Sequence, residues 1–155
     1  MSDLDLIDRR ILGLLQDDAT MPIAEIAERV GLSQTPCWKR MKRLQEMGAI
    51  TKRVALVDRN SVDLQLVVFV SVSTSRHDDE WLTGFANAAS ALPEVVEFYR
   101  LSGEVDYLLK VIVKDIDAYD RFYKRLIKTA PLTKVSSSFA MEQIKFTTAL
   151  PLIKS

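Results

Sequence analysis

Residues 23–50 read IAEIAERVGLSQTPCWKRMKRLQEMGAI. Ile23, Ile26, Ala27 and Val30 recur at helical spacing and form one face of a short helix. Gly31 follows, a residue that takes the left-handed conformation that ends a helix, and Leu32 should pack inward. Ser33 suits the N-cap of the next helix. Pro36 falls in that helix's first turn, where a missing N–H costs little. Cys37, Met41 and Leu44 then stand at i, i+4 and i+7 and face a core. The opposite face carries Thr35, Lys39, Lys42 and Glu46, flanked by Gln34, Trp38 and Arg43, and Gly48 closes the helix. Two helices about a glycine turn, the second one basic, make a helix-turn-helix. They make duplex DNA the first partner to consider.

Upstream, Leu4, Ile7, Ile11, Leu14 and Leu15 give another helical stripe, with Asp3 and Asp5 suited to its N-terminus. The helix should stop near Asp17–Asp18, and Pro22 fits the first turn of the next one. Downstream, Ile50 to Val57 alternates and reads as a strand leading away. Residues 1–58 thus form the DNA-binding unit.

A helix that fills the major groove presents its N-terminal residues to base edges. Gln34, Thr35, Trp38 and Lys39 are the candidates for bases, with Ser33 beside them at the helix start. Lys42, Arg43, Lys52 and Arg53 are candidates for phosphates. Arg40 lies nearer the core side. A basic amphipathic helix is also what a plain solvated face looks like; the preceding helix and the capped start favour the DNA reading. Trp38 suits stacking on sugar or methyl groups, and equally packing against the first helix. Cys37, alone on the core face, reads as a small buried apolar residue.

The chain has 155 residues, with 21 Lys and Arg against 21 Asp and Glu. A zero net charge disfavours a protein that coats nucleic acid, yet between Ser33 and Arg53 six cations face Glu46 alone. A single cysteine excludes an internal disulfide framework and fits a reducing cytoplasm. No apolar run reaches the ~18 residues a membrane span needs, and MSDLDLIDRR does not read as a signal peptide.

Asp58 to Ser61 is a polar break, the expected linker. Residues 64–155 form the second unit. Leu64–Ser73 reads as a β-branched strand. Asp78, Asp79 and Glu80 open a helix striped by Leu82, Phe85, Ala89 and Leu92 and ended by Pro93. Val95–Leu101 and Tyr107–Val113 read as strands about a turn at Gly103. Ile116, Tyr119, Phe122, Tyr123, Leu126 and Ile127 stripe a second helix, broken by Pro131. Val135–Met141 is the last main strand, extended by Lys145–Leu152. Strand, helix, strand, strand, helix, strand is the split βαβ, ferredoxin-like order. The fold class is α+β. Its helices cover one sheet face; the other exposes apolar side chains that a second subunit would cover.

An enzyme on this fold is the main rival reading. The residues argue against it: His77 and Cys37 are single and lie in different units, no metal-ligand cluster is spaced for binding, and no glycine-rich phosphate loop occurs. No cofactor or metal is expected. A third reading is an amino-acid sensor that acts through protein partners, which the basic face of the third helix disfavours.

DLIDRRILGLLQDDA, VGLSQTPCWKRMKRLQEMGAI, LSGEVDYLLKV and the ending MEQIKFTTALPL together resemble the leucine-responsive/asparagine regulator (Lrp/AsnC) family, over essentially the whole chain. TPCWKRMKRL and SSFAMEQIKFTTALP further resemble a bacterial branch of cysteine-responsive activators. The resemblance implies a winged N-terminal helix-turn-helix domain and a C-terminal amino-acid-binding domain. It implies dimers that assemble further, often to octamers, and a small amino acid held between subunits. The family's Gly-x-x-Asp motif matches Gly103 and Asp106, where backbone N–H groups would meet the ligand carboxylate and Asp106 its ammonium. Ser102 and Glu104 lie on the same turn, and Ser137 and Ser138 on the last strand are further effector candidates. A plain β-hairpin needs the same residue types at that turn.

Overall fold

A computed structural model describes residues 4–76 and 78–152. Asp3 and His77 lie outside the described residues. The chain divides into two compact units, one of residues up to Leu56 together with the chain from Lys145, the other Val57–Ile144.

The first unit holds α1 (Leu6–Asp17), α2 (Ile23–Val30) and α3 (Gln34–Glu46). Asp5 caps α1: its carboxylate accepts the Asp8 N–H at 2.8 Å, and Asp8 accepts the Asp5 N–H at 3.2 Å. That reciprocal box satisfies donors a helix start leaves open. Pro22 stands at the N-cap of α2, and Gly31 ends it at φ 73°, left-handed as a tight turn requires. Ile11, Leu12, Ile26, Ala27, Val30, Cys37, Met41 and Leu44 form the core, with Leu32 partly buried against it.

Two expected strands are absent from this unit. Ile50–Val57 joins no ladder, and Lys145–Leu152 is not a strand either. Alternation lets a segment extend; only a partner makes it a strand. The tail also departs from the expected second unit of 64–155. Leu152 packs on the helical core and accepts a hydrogen bond from Arg9 Nη1 at 3.1 Å.

The second unit opens with a 3-10 turn, Arg59–Val62, where a polar linker was expected. Asp58 caps it, and its carboxyl is held below its ordinary pKa, chiefly by the Asn60 N–H. β1 (Leu66–Ser73), α4 (Asp79–Ser90), β2 (Val95–Arg100), β3 (Tyr107–Val113), α5 (Ile116–Leu126) and β4 (Lys134–Phe139) follow. The four strands are antiparallel in the order β2-β3-β1-β4, the ferredoxin-like order. Asp78 caps α4 and Asp115 caps α5, which explains the acidic helix starts.

Val68, Val70, Val72, Tyr107, Leu109 and Val111 pack under Trp81, Phe85 and Ala89 of α4 and Tyr119, Phe122 and Leu126 of α5. Trp81 is buried more deeply than the expected Leu82, and Ile116 of the expected α5 stripe is exposed. The opposite face carries Phe69 and Tyr99, both exposed. At its centre Lys110 Nζ lies 2.6 Å from Glu97, which also accepts from the Tyr99 hydroxyl at 2.6 Å. Lys110, then Tyr99, hold the Glu97 carboxyl below its ordinary value.

Candidate nucleic-acid interface and effector turn

The core stripe of α3 sets what its other side presents. With Cys37, Met41 and Leu44 buried, Gln34, Thr35, Trp38, Lys39, Lys42, Arg43 and Glu46 are all exposed. Burial pushes the Cys37 thiol above its ordinary pKa, as an inert core cysteine requires. Ser33 is the N-cap by position, with extended backbone, but its side chain makes no capping bond. Trp38 is 49% exposed and does not pack into the core. Its ring lies under the Lys42 ammonium, 5.5 Å from the centroid, a cation–π distance.

The cations of this region are not equivalent. Lys42 pairs loosely with Glu46 at 3.6 Å. Arg40 donates from Nη1 to Asp5 at 2.7 Å and to Asp8 at 2.8 Å. Arg43 donates from Nη2 to Asp8. Among the described residues, Lys39, Lys52 and Arg53 enter no ion pair, and all three are exposed. Reading from the chain missed Asp8, which is 0% exposed. The signal was there: an acid inside the apolar stripe of α1, with two arginines three residues apart on a later helix.

In the second unit, β2 and β3 are joined through residues 101–106. Gly103 sits at φ 144°, a conformation that side chains rarely adopt. The Leu101 N–H donates to the Asp106 carbonyl at 2.8 Å, and the Asp106 N–H to the Val72 carbonyl at 3.1 Å. Asp106 Oδ2 accepts the Thr74 N–H at 2.8 Å; Oδ1 has no hydrogen bond among the described residues. Ser102 and Glu104 are exposed on the turn, and the Glu104 carbonyl accepts from Ser73 Oγ at 3.4 Å.

Ser137 and Ser138 are not gathered to that turn within one subunit. They lie on β4, opposite Val70 and Phe69 of β1, and face opposite sides of the sheet. Ser137 is hydrogen-bonded to the Tyr119 hydroxyl on the helix side, and Ser138 is exposed on the open side. Strand neighbours always alternate in this way.

Residues 4–51 match the family model described as winged helix-turn-helix DNA-binding, and residues 67–150 match the Lrp/AsnC ligand binding domain. The chain belongs to the Lrp/AsnC family. It is a DNA-binding transcriptional regulator with an amino-acid-binding domain. The regulator is 49% identical to the DNA-binding transcriptional activator DecR of Escherichia coli K12 over 96% of this chain and 99% of that one. It is 55% identical to an AsnC family transcriptional regulator from Agrobacterium tumefaciens, with a TM-score of 0.93 over 96% and 97% of the two chains. It is also 37% identical to a transcriptional regulator from Neisseria meningitidis solved as an L-Met complex, at a TM-score of 0.90 over 96% and 97%.

Proposed function

We propose that this regulator is a cytoplasmic homo-oligomer, not an enzyme, that reads paired half-sites on duplex DNA and changes its assembly or affinity when a small amino acid binds. The observation that carries the DNA side is the free face of α3. Gln34, Thr35, Trp38 and Lys39 stand exposed over its first turns, where a groove-filling helix meets base edges. Lys42, Lys52 and Arg53 flank them as phosphate contacts. Ser33, with its side chain outside the cap, adds a hydroxyl at the same end.

The effector side rests on the turn at Ser102–Asp106. Gly103 leaves backbone N–H groups approachable by a carboxylate. Asp106 keeps one oxygen for an ammonium while the other is held by Thr74, so the carboxylate is fixed before a ligand arrives. Ser102 and Glu104 rim the turn. A second copy on the open sheet face would cover Phe69 and Tyr99 and could bring Ser138 of one subunit toward the turn of the other. The resemblance to the family supports further assembly, such as an octamer. The L-Met complex of the Neisseria relative and the likeness to cysteine-responsive activators make methionine and cysteine the first amino acids to test.

Ligand at a subunit interface would favour one assembly geometry and so set the distance between recognition helices. A mobility-shift assay on the regulator's own upstream region tests this. A specific shift altered by cysteine or methionine is expected; no specific shift under any amino acid would overturn the operator reading. Lys39→Ala is expected to weaken specific binding more than non-specific binding. A protein-partner sensor would show amino-acid binding without any DNA shift.

A further inference from the structure

Asp5 at the N-cap of α1 and Asp8 in its first turn lie three apart, and Arg40 and Arg43 lie three apart on α3. The four side chains interlock across the two helices. Asp8 is wholly buried and receives Arg40 on Oδ1, and Arg43 together with the Asp5 N–H on Oδ2. Arg40 reaches Asp5 as well. Hydrogen bonding to its carboxylates raises the Arg40 pKa, and Asp5 is held below its ordinary value by the Asp8 N–H and then by Arg40. Both arginines flank the buried stripe of α3, so their bonds oppose rotation of the helix about its axis. The two positive charges meet two negative ones, so the set is neutral. A wholly buried carboxylate is costly without a cationic partner, so Asp8 holds these guanidinium groups against it.

We infer that Asp8 is a positioning and specificity-determining residue of this DNA reader. It fixes the rotation of α3, so that Gln34, Thr35, Trp38 and Lys39 face the groove. With Asp5 it also neutralises two arginines that would otherwise add sequence-blind attraction to phosphate. Arg43 therefore contributes less to phosphate binding than its place beside Lys42 suggests. The inference rests on the reading of α3 as the groove-facing helix.

The test uses the full-length protein, a duplex selected by it from a random pool, and poly(dI-dC) as the sequence-blind probe. Affinity for each is measured over a range of salt. Asp8→Asn adds one net positive charge and keeps the side-chain shape. It is expected to bind poly(dI-dC) more tightly, with the log affinity–log salt slope steeper by about one. Its discrimination in favour of the selected duplex is expected to fall at least five-fold. Arg40→Gln in the Asp8→Asn background restores the net charge; the slope should return to the wild-type value while discrimination stays low. If Asp8→Asn does not fold by circular dichroism, Arg40→Gln alone decides: discrimination falls while the slope does not steepen. A folded Asp8→Asn with wild-type slope and discrimination overturns the inference. So does a variant that loses both affinities in proportion, because that is the mark of a merely structural residue. Arg40→Gln with unchanged discrimination also overturns it. A wild-type protein that selects no duplex overturns the DNA reading itself, and the inference with it.

Discussion

Gln16 and Leu150 exchange two hydrogen bonds: the Gln16 side-chain amide donates to the Leu150 carbonyl at 3.1 Å, and the Leu150 N–H donates back to Gln16 Oε1 at 2.7 Å. A side-chain amide here stands in for a neighbouring strand. With the Arg9 bond to Leu152, it straps the tail along α1 without any ladder.

Gln16→Ala removes both bonds at an exposed site, where each is worth about 0.5–1 kcal/mol. The tail should open locally while the helical core stays folded. Hydrogen exchange is expected to speed up several-fold at Leu150 and to be unchanged at Leu44. Equal acceleration at both would mean that the strap holds the whole unit.

Leu44 is 0% exposed at the heart of the helical core. Leu44→Ala should cost about 2–5 kcal/mol, the sum of lost burial and the cavity left behind. Urea denaturation followed by helix signal measures it. A cost under about 1 kcal/mol would show that the three helices close over the gap.

The Asp106 carboxylate has two tasks in the proposed site. Asp106→Asn still accepts the Thr74 N–H but loses the charge that would meet an ammonium. The thermal shift given by methionine or cysteine is expected to vanish. Wild-type protein with ligand at about 100 times Kd gains about 2.7 kcal/mol. An undiminished shift in the variant would remove Asp106 from the effector site.

Glu97 has a folded pKa below its ordinary 4.5, chiefly through Lys110. A depressed carboxylate pKa means the folded state favours the charged form. The resulting stability is fully present above pH 4.5 and is lost as pH falls through the folded value. Glu97→Gln should therefore be less stable than wild type at pH 7, and the gap should close below pH 4.5. Urea melts at the two pH values check it. A constant gap would mean that shape, not charge, is at stake.

The helices were readable because periodic apolar residues were punctuated at Pro22, Gly31 and Pro36, each with a single structural use. The second unit was readable from the order of its elements. Alternation at Ile50–Val57 and Lys145–Leu152 misled, because pairing depends on what lies alongside. Lys39 and Arg43 look alike in the chain, and only the fold sets Asp8 against one of them. At Ser137 and Ser138 two adjacent serines suggested one role, and the pleat sends them to opposite faces. Gly103 and Asp106 came from resemblance, since turn chemistry alone asks for the same residues.

β1 is central in the sheet, yet it precedes every strand it pairs with. On the ribosome, LVVFVSVS emerges before either neighbour exists, with both edges bare. Such a segment, β-branched and without charge, is what a nascent chain must shield from its copies. The yield of folded regulator would then depend on how quickly Tyr107–Val113 follows, and slow synthesis between the two strands would be felt first as aggregation.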